Sequence, residues 1–366
     1  MGLYAKLIVK IMKEKEFDPM RTLVVGAGAI GGYFGGRLLE AKRDVTFLVR
    51  SRRAAELAAA GLTIRSKFGD VTLPSPPTVR AENLRDSFDL VLLSCKSYDL
   101  ESAMDSFAPA VGPQTVILPL LNGMRHLDVL DARFGRERVL GGWCLIAATL
   151  AAPSAVTLNV TPNVTPNDKR EVVHMNDIHE LAFGERNPVG PGGSPGRAQG
   201  QDAPGQEKEE AALSDRVRAI ASMMEGARFD CRPSADALAG MWSKWAFLAP
   251  LAAGTCLMRA TIGDIVAAPG GAELLLGLSD ECSAIAAAQG YPVTEELLQR
   301  SVARLTAAGS TLTASMLRDI QANAPIEADH IVGDLLRRRR EAPQSDRSLL
   351  GVAYTHLKAY EAGRTV

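Results

Sequence analysis

The chain has 366 residues, 46% hydrophobic and 23% charged, which gives it enough length for two cores and the makeup of a folded globular protein. Its 41 basic and 42 acidic residues leave a formal charge of −1, so there is no basic excess to drive nucleic-acid or anionic-membrane binding. No apolar stretch approaches the roughly 20 residues of a membrane span, and five scattered cysteines without a C-x-x-C pair make neither a disulfide scaffold nor a thiolate metal site.

Residues 1–19, with lysines around a short apolar patch, fit neither a signal peptide nor a myristoylation signal, and are expected to be a disordered extension. From Arg21 the pattern sharpens. Thr22-Leu-Val-Val25 reads as a buried strand, Gly26-Ala-Gly28-Ala-Ile-Gly31 as a turn opening a helix, and Asp44 to Val49 as a second strand ending at Arg50. This is a βαβ unit. Leu62 to Arg65 and Val71 to Leu73 suggest a hairpin, and Phe88 to Leu93 and Thr115 to Leu118 two more buried strands. Such alternation predicts a doubly wound parallel sheet.

After about Ala151 the periodicity decays. Residues 159–167 hold a small tandem duplication, and 187–205, rich in Gly, Pro, Ser and Gln, is expected to be a disordered insertion. From about Asp236 strand signals vanish. Ala-, Leu- and Met-rich stretches, broken at Gly254, Pro269-Gly-Gly271, Gly290-Tyr-Pro292 and Gly309, predict an all-helical domain. The expected organisation is an α/β nucleotide-binding domain over 20–235 and an all-α substrate domain over 236–366.

The glycine loop carries the first chemistry. Gly26 permits the tight turn, Gly28 lets backbone approach a pyrophosphate, and Gly31 lets helix pack on strand. The helix N-terminus offers free N–H groups to phosphates. Gly26, Gly28, Ala29, Ile30 and Gly31 are thus candidate cofactor contacts. An NAD site wants a carboxylate at the end of the second strand, but this chain has Arg50-Ser51-Arg52-Arg53 there. An arginine fork suits a 2′-phosphate, so Arg50 points to NADP, with Arg52 and Arg53 read as solvated loop charges. Lys96 and Asn122 follow two further strands, where open α/β sheets bind ligands. In Trp242-Ser-Lys244-Trp245 a lysine sits among apolar neighbours, where burial would lower its pKa and make it a proton donor.

With these residues in place, the chain resembles the ketopantoate reductase (2-dehydropantoate 2-reductase) family. The resemblance rests on Gly26-x-Gly28-x-x-Gly31, Arg50, Cys95-Lys96-Ser97, Asn122-Gly123-Met124, Trp242-x-Lys244, Ser315-Met-Leu-x-Asp319 leading to Glu327, His330-Ile-Val-Gly333 and Leu335-Leu-Arg-Arg338. It implies a Rossmann domain joined to a helical domain, with the active site between them. It further implies an enzyme that reduces ketopantoate to pantoate with NADPH, a step of pantothenate and coenzyme A biosynthesis, with a small 2-oxo acid as partner and a homodimer as candidate assembly. The scattered cysteines separately fit a reducing, cytoplasmic setting. Lys244 would protonate the developing alkoxide and Glu327 would help hold that lysine and the cofactor. Lys96, Asn122 and Ala147 would touch the cofactor, and Asn122 and Ser315 the substrate. The family places asparagines four, eight and eighteen residues after the lysine, where this chain has Leu248, Ala252 and Ile262. Leu248 and Ala252 are then the expected substrate wall, and a more apolar 2-oxo acid or ketone is the alternative substrate. An NADP(H)-sensing protein without catalysis is the remaining alternative.

Overall fold

The computed structural model describes residues 20–151, 170–186, 212–339 and 348–364. The expected extension 1–19, the duplication at 159–167 and the insertion at 187–205 lie outside the described residues.

The first half is built as the alternating pattern predicts. Strand β1 (Thr22–Val25) leads into helix α1 (Ala29–Glu40), then β2 (Val45–Leu48) and α2 (Ser51–Ala60). A hairpin of β3 (Leu62–Arg65) and β4 (Val71–Leu73) follows, then β5 (Thr78–Val79), β6 (Phe88–Leu93), α3 (Leu100–Phe107), β7 (Val111–Pro119) and α4 (Arg125–Phe134). The five-stranded parallel sheet runs β5-β2-β1-β6-β7. The chain leaves β1 toward β2 on one side and returns to β6 on the other, so β1 is the switch point. There the helices diverge and a crevice opens at the strands' carboxyl ends. Val25 lies level with both Leu48 and Leu93, which brings the glycine loop, Arg50 and Ser94 to one edge.

The structure adds a second sheet that the sequence pattern did not announce. Strands β8 (Gly141–Ala151) and β9 (Glu171–Gly184) form a long antiparallel pair, and β9 also pairs in parallel with β3 and with β10 (Asp230–Pro233), which follows α5 (Asp215–Met224). The apolar periodicity that marks a strand fails here for two reasons. The β8–β9 register shifts at a bulge between Ile146 and Ala148, and Met175, Asn176 and Asp177 put mixed chemistry at mid-strand. Val172, Leu181 and Phe183 pack with Val24, Phe34 and Phe47, so this sheet covers α1 and one face of the parallel sheet.

The second half is helical, as expected: α6 (Ala237–Met258), α7 (Ile262–Ala267), α8 (Gly271–Ala288), α9 (Glu295–Leu305), α10 (Ser315–Gln321), α11 (Asp334–Arg337) after a π-helical turn, and α12 (Leu349–Gly363). Asp236 caps α6 by accepting from the Ala239 N–H at 3.0 Å. The expected break at Gly254 is corrected, for α6 runs through both Pro250 and Gly254. A Cβ at Gly254 would lie 2.5 Å from Leu275 Cδ2, so this glycine serves close packing against α8. Trp242 and Trp245 share one core with Ile117, Leu121 and Met124, which joins the helical domain to the end of β7.

Candidate active site

A cleft of about 1020 Å³ lies between the two domains. One end is walled by the glycine loop, β2 and α2, the other by α6, α9 and α10, with Asn122 at the end of β7 between them.

The nucleotide end has the form a dinucleotide requires. Gly26 has φ +93°, a left-handed value that favours glycine. A Cβ on Gly31 would fall 2.1 Å from the Gly26 carbonyl oxygen and 2.2 Å from Ser94 Oγ, so only glycine lets α1 seat on the strand ends. A Cβ on Gly28 would meet nothing, because that position faces open cleft. The N-terminus of α1 has no side-chain cap and no acidic residue in its first turn, which leaves its N–H groups and its dipole free for an anion. Ala29 and Ile30 line the cleft beside it, while Gly31 packs behind.

Arg50 also lines the cleft, with its side chain 75% exposed and its Nη2 donating to Asp99 Oδ1 at 2.7 Å and Ser102 Oγ at 3.3 Å. Arg52 is solvated, as expected, but Arg53 is not. Its Nε donates to the Ala27 carbonyl at 3.0 Å and its Nη1 to Glu56 Oε2 at 3.0 Å, and its side chain is only 11% exposed. The helical turn that begins at Ser51 aims Arg53 back under the glycine loop, where it braces Ala27.

At the other end Lys244 Nζ donates to Asn122 Oδ1 at 2.7 Å. Burial pushes the Lys244 ammonium below the ordinary lysine range, with the Glu327 charge opposing. Trp245 fixes this part of α6 by donating its indole N–H to the Ile331 carbonyl at 2.9 Å, and Gly123 (φ +74°) turns the chain directly against His330.

Glu327 makes no hydrogen bond to Lys244, although its charge supports that ammonium, and its own hydrogen bonds go to the other domain. Its Oε1 accepts from the Ser97 N–H at 2.9 Å, and its Oε2 from Lys96 Nζ at 3.5 Å, which also donates to Asp319 at 3.0 Å. Burial opposes ionisation of Glu327, but the Lys96 charge and the Ser97 N–H outweigh it and hold the carboxyl below the usual glutamate range. Burial likewise opposes the Lys96 charge, and Glu327 with Asp319 outweighs it, so that ammonium is held above its usual value. Lys96 and Glu327 therefore tie the two domains together across the cleft floor.

Ala147 lines the cleft at the β8 bulge, but its N–H is spent on Asn176 Oδ1 at 2.9 Å. Ser315 opens onto the cleft from the first turn of α10. Leu248 lines it too. Ala252 does not: it is 2% exposed in the core, and Leu251 stands in its place, while Ile262 is wholly buried. Helical geometry is the reason. At about 100° per residue the seventh residue after Lys244 returns to within about 20° of it, whereas the eighth is about 80° away. Among the cleft residues that went unread in the sequence are Asn176, Arg170 and Arg318. Only Arg318 carried a signal, being three residues beyond Ser315 on the same helical face.

Comparison with known proteins bears on this geometry. The ketopantoate reductase PanE/ApbA profile matches residues 22–166, and its C-terminal counterpart matches 236–349. The uncharacterized oxidoreductase YkpB of Bacillus subtilis is 31% identical over 343 residues, covering 94% of this chain and 99% of its own. The chain belongs to the ketopantoate reductase family. Membership makes it an NAD(P)-dependent oxidoreductase that acts on a CH–OH group. The crystal structure of 2-dehydropantoate 2-reductase from Geobacter metallireducens superposes with a TM-score of 0.73 at 26% identity, covering 93% of this chain and 99% of that one. The ternary structure of D-mandelate dehydrogenase with NADH and anilino(oxo)acetate shares the fold at TM-score 0.73 and 17% identity, covering 95% and 100%. Among the described residues no helix is long and apolar enough to cross a membrane, and no cluster of His, Cys, Asp or Glu could hold a metal ion.

Proposed function

We propose that this protein reduces the keto group of a small 2-oxo acid with NADPH, ketopantoate to pantoate being the reaction that family membership suggests first. The observation that carries the reading is the Lys244–Asn122 pair, set in the cleft that the glycine loop also lines. The open face of Gly28 and the uncapped start of α1 suit the pyrophosphate, and Arg50 suits a 2′-phosphate. A bound nicotinamide supplies the hydride. The chain supplies the rest. Lys244 Nζ, held by Asn122 Oδ1, keeps a proton and a positive charge where negative charge develops on the substrate's oxygen. Lys96 and Glu327 hold the two domains in the register that brings that pair to the cleft.

A second substrate reading has its own observation. Phe247, Leu248, Leu251 and Leu312 make one wall of the substrate end apolar, and no asparagine stands on it. Leaving substrate hydroxyls unpaired against that wall costs about 1–3 kcal/mol each, which favours a 2-oxo acid with an apolar side chain. A protein that only sensed NADP(H) would have no use for a lysine paired to Asn122. The assembly we infer is a homodimer, in line with a dimeric ketopantoate reductase from Staphylococcus aureus that shares the fold at TM-score 0.69.

Steady-state oxidation of NADPH and NADH, run against ketopantoate, 2-oxoisovalerate and phenylglyoxylate, tests the reading. Turnover of ketopantoate above the others supports the first substrate. Preference for either apolar acid supports the second. No turnover of any 2-oxo acid removes the proposal.

A further inference from the structure

We propose that Arg318 receives the carboxylate of the substrate and so restricts this site to anionic 2-oxo compounds, an inference that rests on the 2-oxo acid reductase reading above. Arg318 lies one turn beyond Ser315 on α10, and both line the substrate end of the cleft. It is half-buried, yet its guanidinium makes no hydrogen bond and no ion pair with any described residue.

The other arginines along the cleft are engaged. Arg53 is held by Ala27 and Glu56 through Nε and Nη1, its buried Nη2 making no hydrogen bond, Arg170 by Glu56, and Arg50 by Asp99, while Arg304 lies exposed over the Phe247 ring at 4.8 Å. The carboxylate nearest Arg318 in sequence, Asp319, is taken by Lys96 at 3.0 Å. A half-buried guanidinium is thus left with water as its acceptor, which an anion entering the cleft would displace to advantage. A guanidinium matches a carboxylate by two parallel hydrogen bonds, and the Ser315 hydroxyl beside it offers a further donor. The remaining walls suit the rest of the molecule, with Lys244 for the keto oxygen and Leu248, Leu251 and Leu312 for a side chain.

The experiment compares the unmodified protein with Arg318→Gln and Arg318→Lys, using each active 2-oxo acid against its own methyl ester. We expect Arg318→Gln to raise KM for the acid at least tenfold with kcat within a few-fold, to leave kcat/KM for the ester within twofold, and to leave the NADPH Kd within twofold. Arg318→Lys should recover part of the acid preference. The acid-to-ester ratio is internal to each sample, so a variant that folds in low yield still reports. An unchanged ratio in both variants overturns the proposal. So does a tenfold weaker NADPH Kd with an unchanged ratio, which would make Arg318 a contact to the cofactor's phosphates. A binding arm separates this proposal from the reaction itself. With NADP+ present, oxamate should raise the Tm of the unmodified protein and not that of Arg318→Gln. Equal shifts overturn the carboxylate assignment, whereas oxamate selectivity without turnover of any 2-oxo acid keeps it and removes only the reductase reading.

Discussion

Lys244 Nζ meets Asn122 Oδ1 at 2.7 Å, joining the first long helix of the helical domain to the end of the last strand of the parallel sheet. Neither partner alone makes a site. Asn122 orients the ammonium, burial lowers the cost of giving up its proton, and the cleft brings the glycine loop to the same cavity.

Lys244→Ala should lower kcat by about 10²–10⁴-fold, the usual worth of a positioned proton donor. The NADPH Kd, measured by fluorescence titration, should stay within a few-fold, since the phosphate-binding loop is in the other domain. Activity within a few-fold of the unmodified protein would reduce Lys244 to a packing residue.

The pH profile carries a sign. Burial depresses the Lys244 pKa, and the ammonium is the donating form, so kcat should fall as pH rises through that depressed value, at a pH below the ordinary lysine pKa of about 10.4. A profile that stays flat up to the ordinary lysine range contradicts the assignment.

Glu327 makes the matching stability test. Its folded pKa lies below its unfolded value, so its contribution is present above the usual glutamate range and is lost as pH falls through the lower folded value. Glu327→Gln should cost about 1–2 kcal/mol at neutral pH, discounted because the Lys96 side chain stays 40% exposed. The gap in Tm between the two proteins should narrow once pH falls under the ordinary glutamate value of about 4.3 and close below the depressed folded value. A gap that persists unchanged in acid points to packing alone.

Cofactor choice rests on Arg50. We expect at least a tenfold preference for NADPH over NADH, about 1.4 kcal/mol, and Arg50→Asp should erase it. Because Asp99 occupies one Nη of Arg50, Asp99→Asn should tighten NADPH and leave NADH unchanged. Equal use of both dinucleotides by the unmodified protein refutes the role of Arg50.

Substrate preference is addressed on α6. Leu248→Asn with Leu251→Asn should raise kcat/KM for ketopantoate and lower it for an apolar 2-oxo acid. Ala252→Asn should instead destabilise the fold, because that side chain is buried away from the cleft, whereas Leu251, though also buried, lines it. A gain from position 252 and none from 251 would mean that α6 presents another face to the substrate.

The Rossmann half and the helical half were legible in the sequence because their signals are local. Gly26, Gly28 and Gly31 state a turn and a close approach within six residues, and the strand ends at Arg50, Lys96 and Asn122 follow from apolar runs a few residues long. The family motifs brought Lys244, Ser315 and Glu327 to the same list. What they could not state is who partners whom. Lys96 rather than Lys244 takes Glu327, Leu251 rather than Ala252 faces the cleft, and Arg53 bends under the loop instead of into water. Those outcomes turn on the pitch of a helix and on contacts between residues more than 200 positions apart, such as Lys96 and Glu327, where an ångström decides which charge is satisfied. The second sheet was hidden for a similar reason, since β8 and β9 are stabilised by pairing with each other and with β3 more than by any alternation of their own. Sequence determined the elements and the chemistry available; tertiary packing alone decided which groups are paired and which, like Arg318, are left to meet a ligand.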